Sequence, residues 1–310
     1  MFKPFIDIII VNWNSAKQLF NCLKSIENLD NKNYILSVIV IDNASIDSSL
    51  LQLEDLDIPL KIIKNSCNKG FAAACNQGAL VSNAEYILFL NPDTKVFEIS
   101  ISKPIDILNK FIDQKFGICG IQLINDDGNI SASCSRFPNA KCILATMFGL
   151  HYLFPKTFPK QLMVEWDHCN SRIVDQVMGA FFLIRRSLFE ELEGFDERFF
   201  VYFEEVDLSW RAKLKGWNSY YLSDAQVYHK GGGTTENIRG ISLFYYLRSR
   251  ILYGYKHFGF FTATILLTCT LIIEPCSRII QSLKIKSKKE FLGVVQAYGY
   301  LYLWCLGFKK

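Results

Sequence analysis

The chain has 310 residues, of which 50% are hydrophobic, 14% aromatic and 21% charged. This composition excludes a disordered or fibrous protein and predicts a large buried core. The net charge of +4 is uneven, because residues 251–310 contain eight basic and two acidic residues, a net charge of +6, whereas the rest carries −2. A basic, apolar C-terminal segment favours an anionic membrane surface as a partner over nucleic acid.

The ten cysteines are scattered and include no Cys-x-x-Cys pair, which is typical of reduced thiols in the cytosol. The apolar run at residues 6–11 is interrupted by Asp7 and is too short for the core of a secretory signal. We therefore expect the body of the protein to be cytoplasmic.

Strand-like and helix-like segments alternate in the first third of the chain. Strands are predicted at 7–11, 37–41, 58–63 and 86–90, and helices at 15–29 and 70–81. This alternation predicts an α/β fold with a largely parallel sheet flanked by helices. Because ligands of such sheets bind beyond the carboxyl ends of the strands, the residues after each strand are the candidate site.

The composition of the chain changes near residue 240. An aromatic, basic helix predicted at 243–257 leads into an apolar run at 258–273, and a second aromatic stretch follows at 291–308. The 16 residues of the apolar run fall short of the roughly 20 that span a bilayer as a helix, so we predict an interfacial or re-entrant segment. The alternative is that these helices pack on the domain or on a second subunit. In the second case the protein would be a homo-oligomer. The expected domains are a first domain at 1–245 and a helical, membrane-associating tail at 246–310.

Acidic residues follow two of the predicted strands. Asp42 opens a turn rich in Ser, Asn and Asp, and its carboxylate could accept the N3–H of a pyrimidine while Trp13 offers a stacking face. Asp93, in Asn91-Pro92-Asp93, could hold Mg²⁺ or Mn²⁺ against a diphosphate, because these ions prefer oxygen ligands. Turn and capping roles are the alternative for both carboxylates.

Three acidic residues, Glu204, Glu205 and Asp207, lie close in the sequence to five aromatic residues. An apolar setting raises the basicity of a carboxylate, as a general base requires. The alternative is a helix N-terminus whose negative charge is neutralised by Arg211 and Lys213.

A glycine-rich segment at 229–234 joins the imidazole of His229 and the cation of Lys230 to backbone N–H groups that can approach phosphate oxygens. The segment matches neither the P-loop nor the dinucleotide-binding pattern. Arg248 and Arg250 follow it, and they could clamp a diphosphate or contact lipid headgroups.

The order of these segments along the chain is specific. Between about residues 8 and 250 the chain resembles the inverting family 2 glycosyltransferases of the GT-A fold, and among them the rhamnosyltransferase-like branch that builds bacterial surface polysaccharide such as O-antigen. The segments that carry the resemblance are Val11-Asn12-Trp13-Asn14, Leu90-Asn91-Pro92-Asp93 and residues 42–47, 68–76, 178–186, 194–197, 203–211 and 229–232.

The resemblance implies a set of nucleotide-binding residues. Asp42, the backbone at Val11 and the ring of Trp13 would bind the pyrimidine base, and Lys69 and Gly70 would line the nucleotide.

The resemblance also implies a metal site. Asn91-Pro92-Asp93 stands where the family has an Asp-x-Asp motif, so Asp93 would hold the divalent ion, Mg²⁺ or Mn²⁺, together with His229. Asn91 replaces the first Asp of that motif and would lie near the ribose or the phosphate.

The catalytic base of the family is the second residue of a Glu-Asp or Asp-Asp pair, and that position is Glu205 here. Because Glu moves the carboxylate by about one carbon–carbon bond relative to Asp, Glu204 is a rival base. The implied contacts of the diphosphate or the acceptor are Lys230, Gly231, Arg248, Arg250, Asp207 and Gly179.

The activity that the resemblance implies is a single displacement with inversion, in which the base takes a proton from the acceptor hydroxyl as the nucleoside diphosphate departs. dTDP-rhamnose is the expected donor, and a lipid-linked sugar or a polysaccharide is the expected acceptor, at the cytoplasmic face of the inner membrane. Three alternatives stay open. They are a UDP-hexose or galactofuranosyl transferase of the same fold, a catalytically inactive nucleotide-sugar-binding scaffold, and a membrane-structural protein whose C-terminal segment is the functional part.

Overall fold

The computed structural model describes residues 3–30, 32–51, 53–231 and 238–308. The described residues fall into two compact units. The sheet unit is drawn from Met1–Arg136, Leu162–Glu197 and Glu204–Thr234, and the helical unit is drawn from Phe137–Gln161, Arg198–Phe203 and Thr235–Lys310.

The elements are numbered in chain order within each class. The strands are β1 (Phe5–Asn12), β2 (Ile35–Asp42), β3 (Leu60–Lys64), β4 (Tyr86–Leu90), β5 (Thr94–Val96), β6 (Phe116–Ile124), β7 (Ile130–Ser131), β8 (Cys134–Ser135), β9 (Arg172–Val174), β10 (Gln176–Val177), β11 (Phe181–Arg185) and β12 (Asn218–His229). The helices are α1 (Lys17–Glu27), α2 (Phe71–Leu80), α3 (Ser102–Lys110), α4 (Ala140–Met147), α5 (Leu150–Leu153), α6 (Arg186–Glu191), α7 (Glu204–Leu214), α8 (Arg239–His257), α9 (Phe260–Lys284) and α10 (Lys288–Cys305).

A mixed sheet forms the centre of the sheet unit, and its main path runs β3-β2-β1-β4-β11-β6-β12-β5. β1 pairs in parallel with β2 and β4, β2 with β3, and β6 with β12. β11 runs antiparallel to β4 and β6, and β5 runs antiparallel to β12. The predicted α/β fold, with a largely parallel sheet flanked by helices, is confirmed.

Both faces of β1 are buried, because successive side chains of a strand point to opposite faces of the sheet. Ile8 faces the core that contains Leu23 of α1, and Ile9 faces the core that contains Ala74 of α2. A Cβ at Gly78 would lie 2.6 Å from Ile9 Cγ2, so the glycine allows α2 to approach the sheet closely. This packing fixes the carboxyl end of β1, where the candidate site begins.

α9 is longer than the apolar run seen in the sequence. The helix extends over 25 residues, whereas the run at 258–273 has 16, and an interfacial or re-entrant segment stays a prediction. Glu274 directly follows the apolar run, and it is buried in ion pairs with Arg250 of α8 and Arg278 of α9. By length and composition alone, α9 is the one helix in the described part of the chain that could cross a membrane.

The helical unit has its own core. α8 and α10 pack together through the buried residues Phe244, Leu247, Ile251, Val294, Ala297, Tyr298 and Leu301. The predicted domain boundary between residues 245 and 246 falls within α8, and residues 137–161 also belong to the helical unit. That boundary stays a prediction.

Candidate active site

The carboxyl ends of β1 and β2 meet at a polar cluster, because Asn12 and Asp42 are direct neighbours in the sheet. Asp42 is buried, its Oδ1 accepts a hydrogen bond from Asn12 Nδ2 at 2.8 Å, and its Oδ2 accepts one from the backbone N–H of Ser45 at 3.3 Å. Ser49 Oγ holds the same amide of Asn12 at 2.8 Å. Since each carboxylate oxygen can accept more than one hydrogen bond, Asp42 is fixed in position and can still accept from a ligand.

A second set of amides ties the loop before α2 to the end of β2. Asn43 Nδ2 donates to the carbonyl oxygen of Gly70 at 3.0 Å, and Asn65 Nδ2 donates to Asn43 Oδ1 at 2.9 Å. Gly70 has a φ of +90°, which a residue with a side chain rarely adopts, and α2 begins directly after it. Lys69 is exposed beside this turn. Gly70 is therefore held to the residue that follows Asp42, and the nucleotide site stays a prediction.

Asn76 joins two of the motif segments. Its Oδ1 accepts from the backbone N–H of Phe195 at 2.9 Å, and its Nδ2 donates to the carbonyl oxygen of Phe195 at 2.8 Å. A Cβ at Gly194 would lie 2.7 Å from Asn76 Oδ1, so the turn before α7 requires glycine there. Lys69 and Asn76 line a cavity of about 580 Å³ on this side of α2.

The end of β4 meets the end of β12 through β5. Thr94 of β5 pairs with His229 of β12, and the backbone N–H of Lys230 donates to the carbonyl oxygen of Asp93 at 3.1 Å. His229 Nε2 lies 3.3 Å from Asp93 Oδ1, with 12% and 11% of the two side chains exposed. The backbone N–H of Asn91 donates to the carbonyl oxygen of Ala180 at 3.0 Å. Two side chains that are far apart in the sequence are thus brought together.

Asp93 and His229 suit a divalent ion, because a carboxylate and an imidazole are ordinary ligands of Mn²⁺ and related metals. Among the residues that the structure describes, no group of three or more His, Cys, Asp or Glu side chains could hold a metal. Gly232, Gly233 and Thr234, which belong to the predicted phosphate-binding segment, lie outside the described residues.

Glu204 and Glu205 are the first two residues of α7. One carboxylate oxygen of each residue, Oε2, is buried and has no hydrogen-bond partner among the described residues. The side chain of Glu205 lies beside Gly179, in the connection between β10 and β11, where a Cβ would be 3.9 Å from Glu205 Cγ. The structure therefore brings Gly179 and the predicted base together.

Burial separates the roles of the two glutamates. Glu204 is only 4% exposed, and burial together with the charge of Glu205 raises its pKa well above the usual 4.5. Glu205 is half-buried, and burial raises the pKa of this carboxyl as well. The more deeply buried Glu204 thus favours its protonated form more strongly, and Glu205 is the more accessible carboxylate.

Asp207 has a different environment from its two neighbours. It is fully buried, and its Oδ2 accepts from Arg211 Nε at 2.7 Å. Arg211 also donates through Nη2 to the carbonyl oxygen of Gly194 at 2.8 Å, which ties α7 to the turn before it. The alternative interpretation, in which a cation neutralises an acidic residue at the start of the helix, therefore describes Asp207 and Arg211. The second cation named in that interpretation, Lys213, donates to Asn218. A contact of Asp207 with substrate stays an untested prediction.

The predicted clamp residues Arg248 and Arg250 lie in the helical unit. Arg250 is buried, forms a bidentate ion pair with Glu274 and donates to Thr270 Oγ1 at 3.0 Å. The guanidinium of Arg248 stacks 5.7 Å from the centre of the Trp304 ring. Because Glu274 and Thr270 occupy the guanidinium of Arg250, we leave this residue out of the proposed diphosphate site.

Sequence reasoning gave no role to Asn12, Asn43, Asn65 or Asn76. Asn12 ends β1, Asn43 and Asn65 directly follow β2 and β3, and Asn76 lies in α2. All except Asn65 belong to the motif segments that carry the resemblance. Their amides orient Asp42, Gly70 and the turn at Phe195. The recurrence of Asn directly after the strands was the only sequence signal that could have pointed to these roles.

Comparisons with known proteins agree with this geometry. The model of glycosyl transferase family 2 matches residues 7–193, more than half of the chain. The N-acetylglucosaminyl-diphospho-decaprenol L-rhamnosyltransferase of Mycobacterium tuberculosis is 26% identical over 216 residues, which cover 64% of this chain and 68% of that protein. The rhamnosyltransferase WbbL of Escherichia coli is 31% identical over 152 residues, which cover 47% of this chain and 52% of WbbL.

A solved structure shares the fold at low sequence identity. The mannosyltransferase PcManGT from Pyrobaculum calidifontis, in complex with GDP-Man and Mn²⁺, matches with a TM-score of 0.57 and 13% identity, over 97% of this chain and 88% of that one. The family match, the two rhamnosyltransferase relatives and this fold all agree with the resemblance seen in the motifs. The chain belongs to glycosyl transferase family 2, and it is a glycosyltransferase of the GT-A fold in the rhamnosyltransferase-like branch.

Proposed function

We propose that the protein transfers a sugar, with L-rhamnose from dTDP-rhamnose as the first candidate, to a hydroxyl group of a lipid-linked acceptor. The observation that carries this proposal is the similarity to two rhamnosyltransferases, one of which is named for a diphospho-decaprenol acceptor. The acceptor of this chain would then be a sugar on a polyprenyl diphosphate or a related lipid.

The donor nucleotide would bind at the ends of β1 and β2. Asp42, held by Asn12 and by the backbone of Ser45, would accept the N3–H of the thymine or uracil base. The ring of Trp13, which is half-buried and directly follows Asn12 in the sequence, would stack on the base. Gly70 and Lys69 would line the ribose and phosphates.

Asp93 and His229 would hold a divalent metal ion at the diphosphate. Their side chains are 3.3 Å apart and only slightly exposed, which supports a shared ligand. When bound, the ion neutralises charge that builds up on the leaving diphosphate. Lys230, which follows His229 and is exposed, would add a positive charge there. Mg²⁺ and Mn²⁺ are both consistent with this pair of ligands.

Glu205 would act as the general base. Its carboxylate removes the proton from the acceptor hydroxyl while the hydroxyl oxygen attacks the anomeric carbon. The bond from that carbon to the diphosphate oxygen breaks in the same step, so the configuration inverts. Glu204, whose pKa is raised furthest, would remain protonated and would avoid a second negative charge beside the base.

The helical unit would keep the enzyme at the cytoplasmic face of the inner membrane. α9 and α10 expose large apolar side chains, among them Phe261, Ile272 and Leu283 of α9 and Leu292 of α10. Four lysines lie at residues 284–289, where α9 ends and α10 begins, and this positive charge suits anionic lipid.

Turnover of a donor panel tests the proposed function. The full chain in detergent is incubated with dTDP-rhamnose and UDP-sugars, with a lipid-diphosphate-linked acceptor, and with or without Mg²⁺ or Mn²⁺. We expect metal-dependent release of nucleoside diphosphate from dTDP-rhamnose. Release of nucleoside diphosphate from a UDP-hexose or UDP-galactofuranose alone would show that this sugar nucleotide, and not dTDP-rhamnose, is the donor. Nucleotide binding without any turnover would favour the catalytically inactive scaffold.

A further inference from the structure

A buried histidine of the sheet unit lies outside every motif segment and has no part in the proposed donor site. His168 is in the connection before β9, and only 1% of its surface is exposed. Its φ is +57°, in the left-handed region that residues other than glycine rarely adopt. Strain of this kind persists where the surrounding contacts hold the residue in place. The contacts of the imidazole ring show what this residue holds in turn.

Both ring nitrogens of His168 bind backbone groups. Nδ1 lies 2.8 Å from the carbonyl oxygen of Trp166 and must donate, because that oxygen can only accept. Nε2 is then the unprotonated nitrogen, and it accepts from the backbone N–H groups of Ser133 and Cys134, each at 3.3 Å. Burial and the charge of Arg172 lower the pKa of His168 from the usual 6.5, which keeps the ring neutral and the acceptor available.

Neighbouring strands hold the backbone and the ring of His168. Its carbonyl oxygen accepts from Gln122 Nε2 of β6 at 2.9 Å and from the Tyr221 hydroxyl of β12 at 2.8 Å. The imidazole stacks on the indole of Trp166, with 4.1 Å between the ring centres. The Arg172 guanidinium lies 3.8 Å from the centre of the same indole. His168 is therefore fixed to the main sheet, and so are the two N–H groups that it accepts.

Those two N–H groups lie at the start of β8, and β8 holds β10. Cys134 of β8 pairs with Val177 of β10, and the carbonyl oxygen of Ser133 accepts from the backbone N–H of Met178 at 2.8 Å. A Cβ at Gly120 of β6 would lie 2.6 Å from Val177 Cβ, so β10 packs closely on the main sheet. The position of residues 176–178 therefore depends on β8, which the imidazole holds.

β10 leads directly to the proposed base. Gly179 follows Met178, and a Cβ at Gly179 would lie 3.9 Å from Glu205 Cγ. α7, whose first residues are Glu204 and Glu205, packs against β10. The residues that end β10 thus form one side of the environment of Glu205. How closely they pack there controls how much water reaches its carboxylate.

We propose that His168 is a positioning residue for the acceptor step, in which its neutral imidazole fixes β8, β8 fixes Met178 and Gly179, and these residues hold Glu205 towards the acceptor hydroxyl. This inference rests on the proposed function, because it requires Glu205 to be the base. The proposed donor residues at the ends of β1 and β2 are not among these contacts, so donor binding should not depend on His168.

Two variants separate the acceptor nitrogen of the imidazole from the strained backbone. In His168→Gln, the amide oxygen is as many bonds from Cβ as Nε2 is, and it can accept the same two N–H groups. In His168→Asn, the shorter side chain does not reach them, although Asn tolerates a φ of +57° better than Gln does. Backbone strain alone predicts the milder effect for His168→Asn, whereas the proposal predicts the milder effect for His168→Gln.

The kinetic readouts are kcat and its pH dependence, measured as release of nucleoside diphosphate. We expect His168→Asn to lower kcat at least about tenfold at an unchanged affinity for dTDP, and His168→Gln to retain most of the wild-type rate. Looser packing at Gly179 admits water to Glu205, so the midpoint of the rise of kcat with pH should move down towards 4.5 in His168→Asn. Partial unfolding would lower the rate without moving that midpoint.

The other charges near the base and a second buried histidine serve as controls. Glu204 of α7 and Cys75 of α2 interact with the charge of Glu205, and neither variant changes them. His151→Asn, at a buried histidine of the helical unit, is the matched control. It should leave both kcat and the pH midpoint at their wild-type values.

Hydrogen exchange tests the structural step without any turnover. Peptides that cover residues 176–179 should exchange faster in His168→Asn than in the wild type, because β10 is held less firmly. They should exchange at the wild-type rate in His168→Gln and in His151→Asn. Unchanged exchange in His168→Asn, or a stronger effect of His168→Gln than of His168→Asn on kcat, would overturn the proposal.

Two further outcomes separate this inference from the proposed function. Faster exchange in His168→Asn together with a wild-type kcat and pH midpoint would overturn the positioning role alone. A wild type that turns over no donor would overturn the proposed function, and with it the catalytic part of this inference. The exchange rates would then still decide whether His168 holds β10.

Discussion

Each unit of the molecule buries a glutamate, and the two units treat it in opposite ways. In the helical unit, Glu274 is buried between Arg250 and Arg278, which hold the pKa of its carboxyl below the usual 4.5. In the sheet unit, one carboxylate oxygen each of Glu204 and Glu205 is buried without a hydrogen-bond partner among the described residues, and burial raises both pKa values. A paired, buried carboxylate stabilises a fold, whereas an unpaired one is available to move a proton. The comparison thus supports the proposal that α7 provides the base, and it assigns a structural role to the ion pairs of α9.

The largest effect is expected from Glu205→Gln. The amide keeps the shape of the side chain but cannot accept the proton, so kcat should fall by on the order of 10²–10⁴-fold. Binding of dTDP, measured by calorimetry, should stay at the wild-type value. Glu85→Gln, at an exposed glutamate of the same unit, is the control and should leave kcat unchanged. A wild-type kcat in Glu205→Gln would remove this residue as the base.

The paired glutamate should respond in stability instead. Glu274→Gln leaves Arg250 buried without a counter-charge, so the free energy of unfolding should fall by about 3 kcal/mol. Chemical denaturation followed by circular dichroism measures this loss. The effect on pH dependence has a definite sign. Because the folded pKa of Glu274 is lowered, its contribution is present above the usual pKa of 4.5 and is lost as the pH falls through the lowered value. A variant as stable as the wild type at neutral pH would contradict the structural role.

Asp93 represents a third arrangement, a carboxylate beside an imidazole. Asp93→Asn keeps the size of the side chain but removes the charge that would hold a metal. We expect the affinity for Mn²⁺, measured in the presence of dTDP, to fall at least about tenfold. Asp106→Asn, at an exposed position of α3, is the control. Equal metal affinity in Asp93→Asn and Asp106→Asn would place the metal elsewhere.

The smallest effect is expected from Glu204→Gln, and it has the opposite sign to that of Glu274→Gln. Burial raises the folded pKa of Glu204, so the wild type loses stability as the pH rises from the usual 4.5 towards the raised value. Gln resembles the protonated carboxyl, and the variant should therefore be more stable than the wild type at neutral pH. The difference should vanish below about pH 4, where the wild-type carboxyl is protonated in both states. Thermal unfolding across a pH series measures it, and a destabilised variant at neutral pH would contradict the assignment.

Local patterns in the sequence were sufficient for the first four strands and for the residues that follow them. The apolar run at 7–11 and the position of Asp42 after its strand required only the period and length of the segments. The pairing of Asp93 with His229 depends on β5 and β12 meeting in the sheet, which no local pattern contains. The motif order indicated that pair through family resemblance alone.

Two kinds of feature were out of reach of the sequence. Asn76 acts on the backbone of Phe195, 119 positions away, and such side-chain bonds leave no periodic signal. Arg250 was assigned to a phosphate because its charge was considered without Glu274, which lies one helix later. The apolar run alone does not show that α9 continues to Lys284, because the helix beyond it is polar and charged.

The pH dependence of kcat for the wild type and for Glu205→Gln, measured as release of nucleoside diphosphate, tests the central claim most directly. We predict that the wild-type rate rises with pH around a midpoint above the usual 4.5 of a glutamate, because burial raises the pKa of the base. The residual rate of Glu205→Gln should lack this rise. A variant that retains both the wild-type rate and the same pH dependence would show that the unpaired glutamate of α7 is not the base.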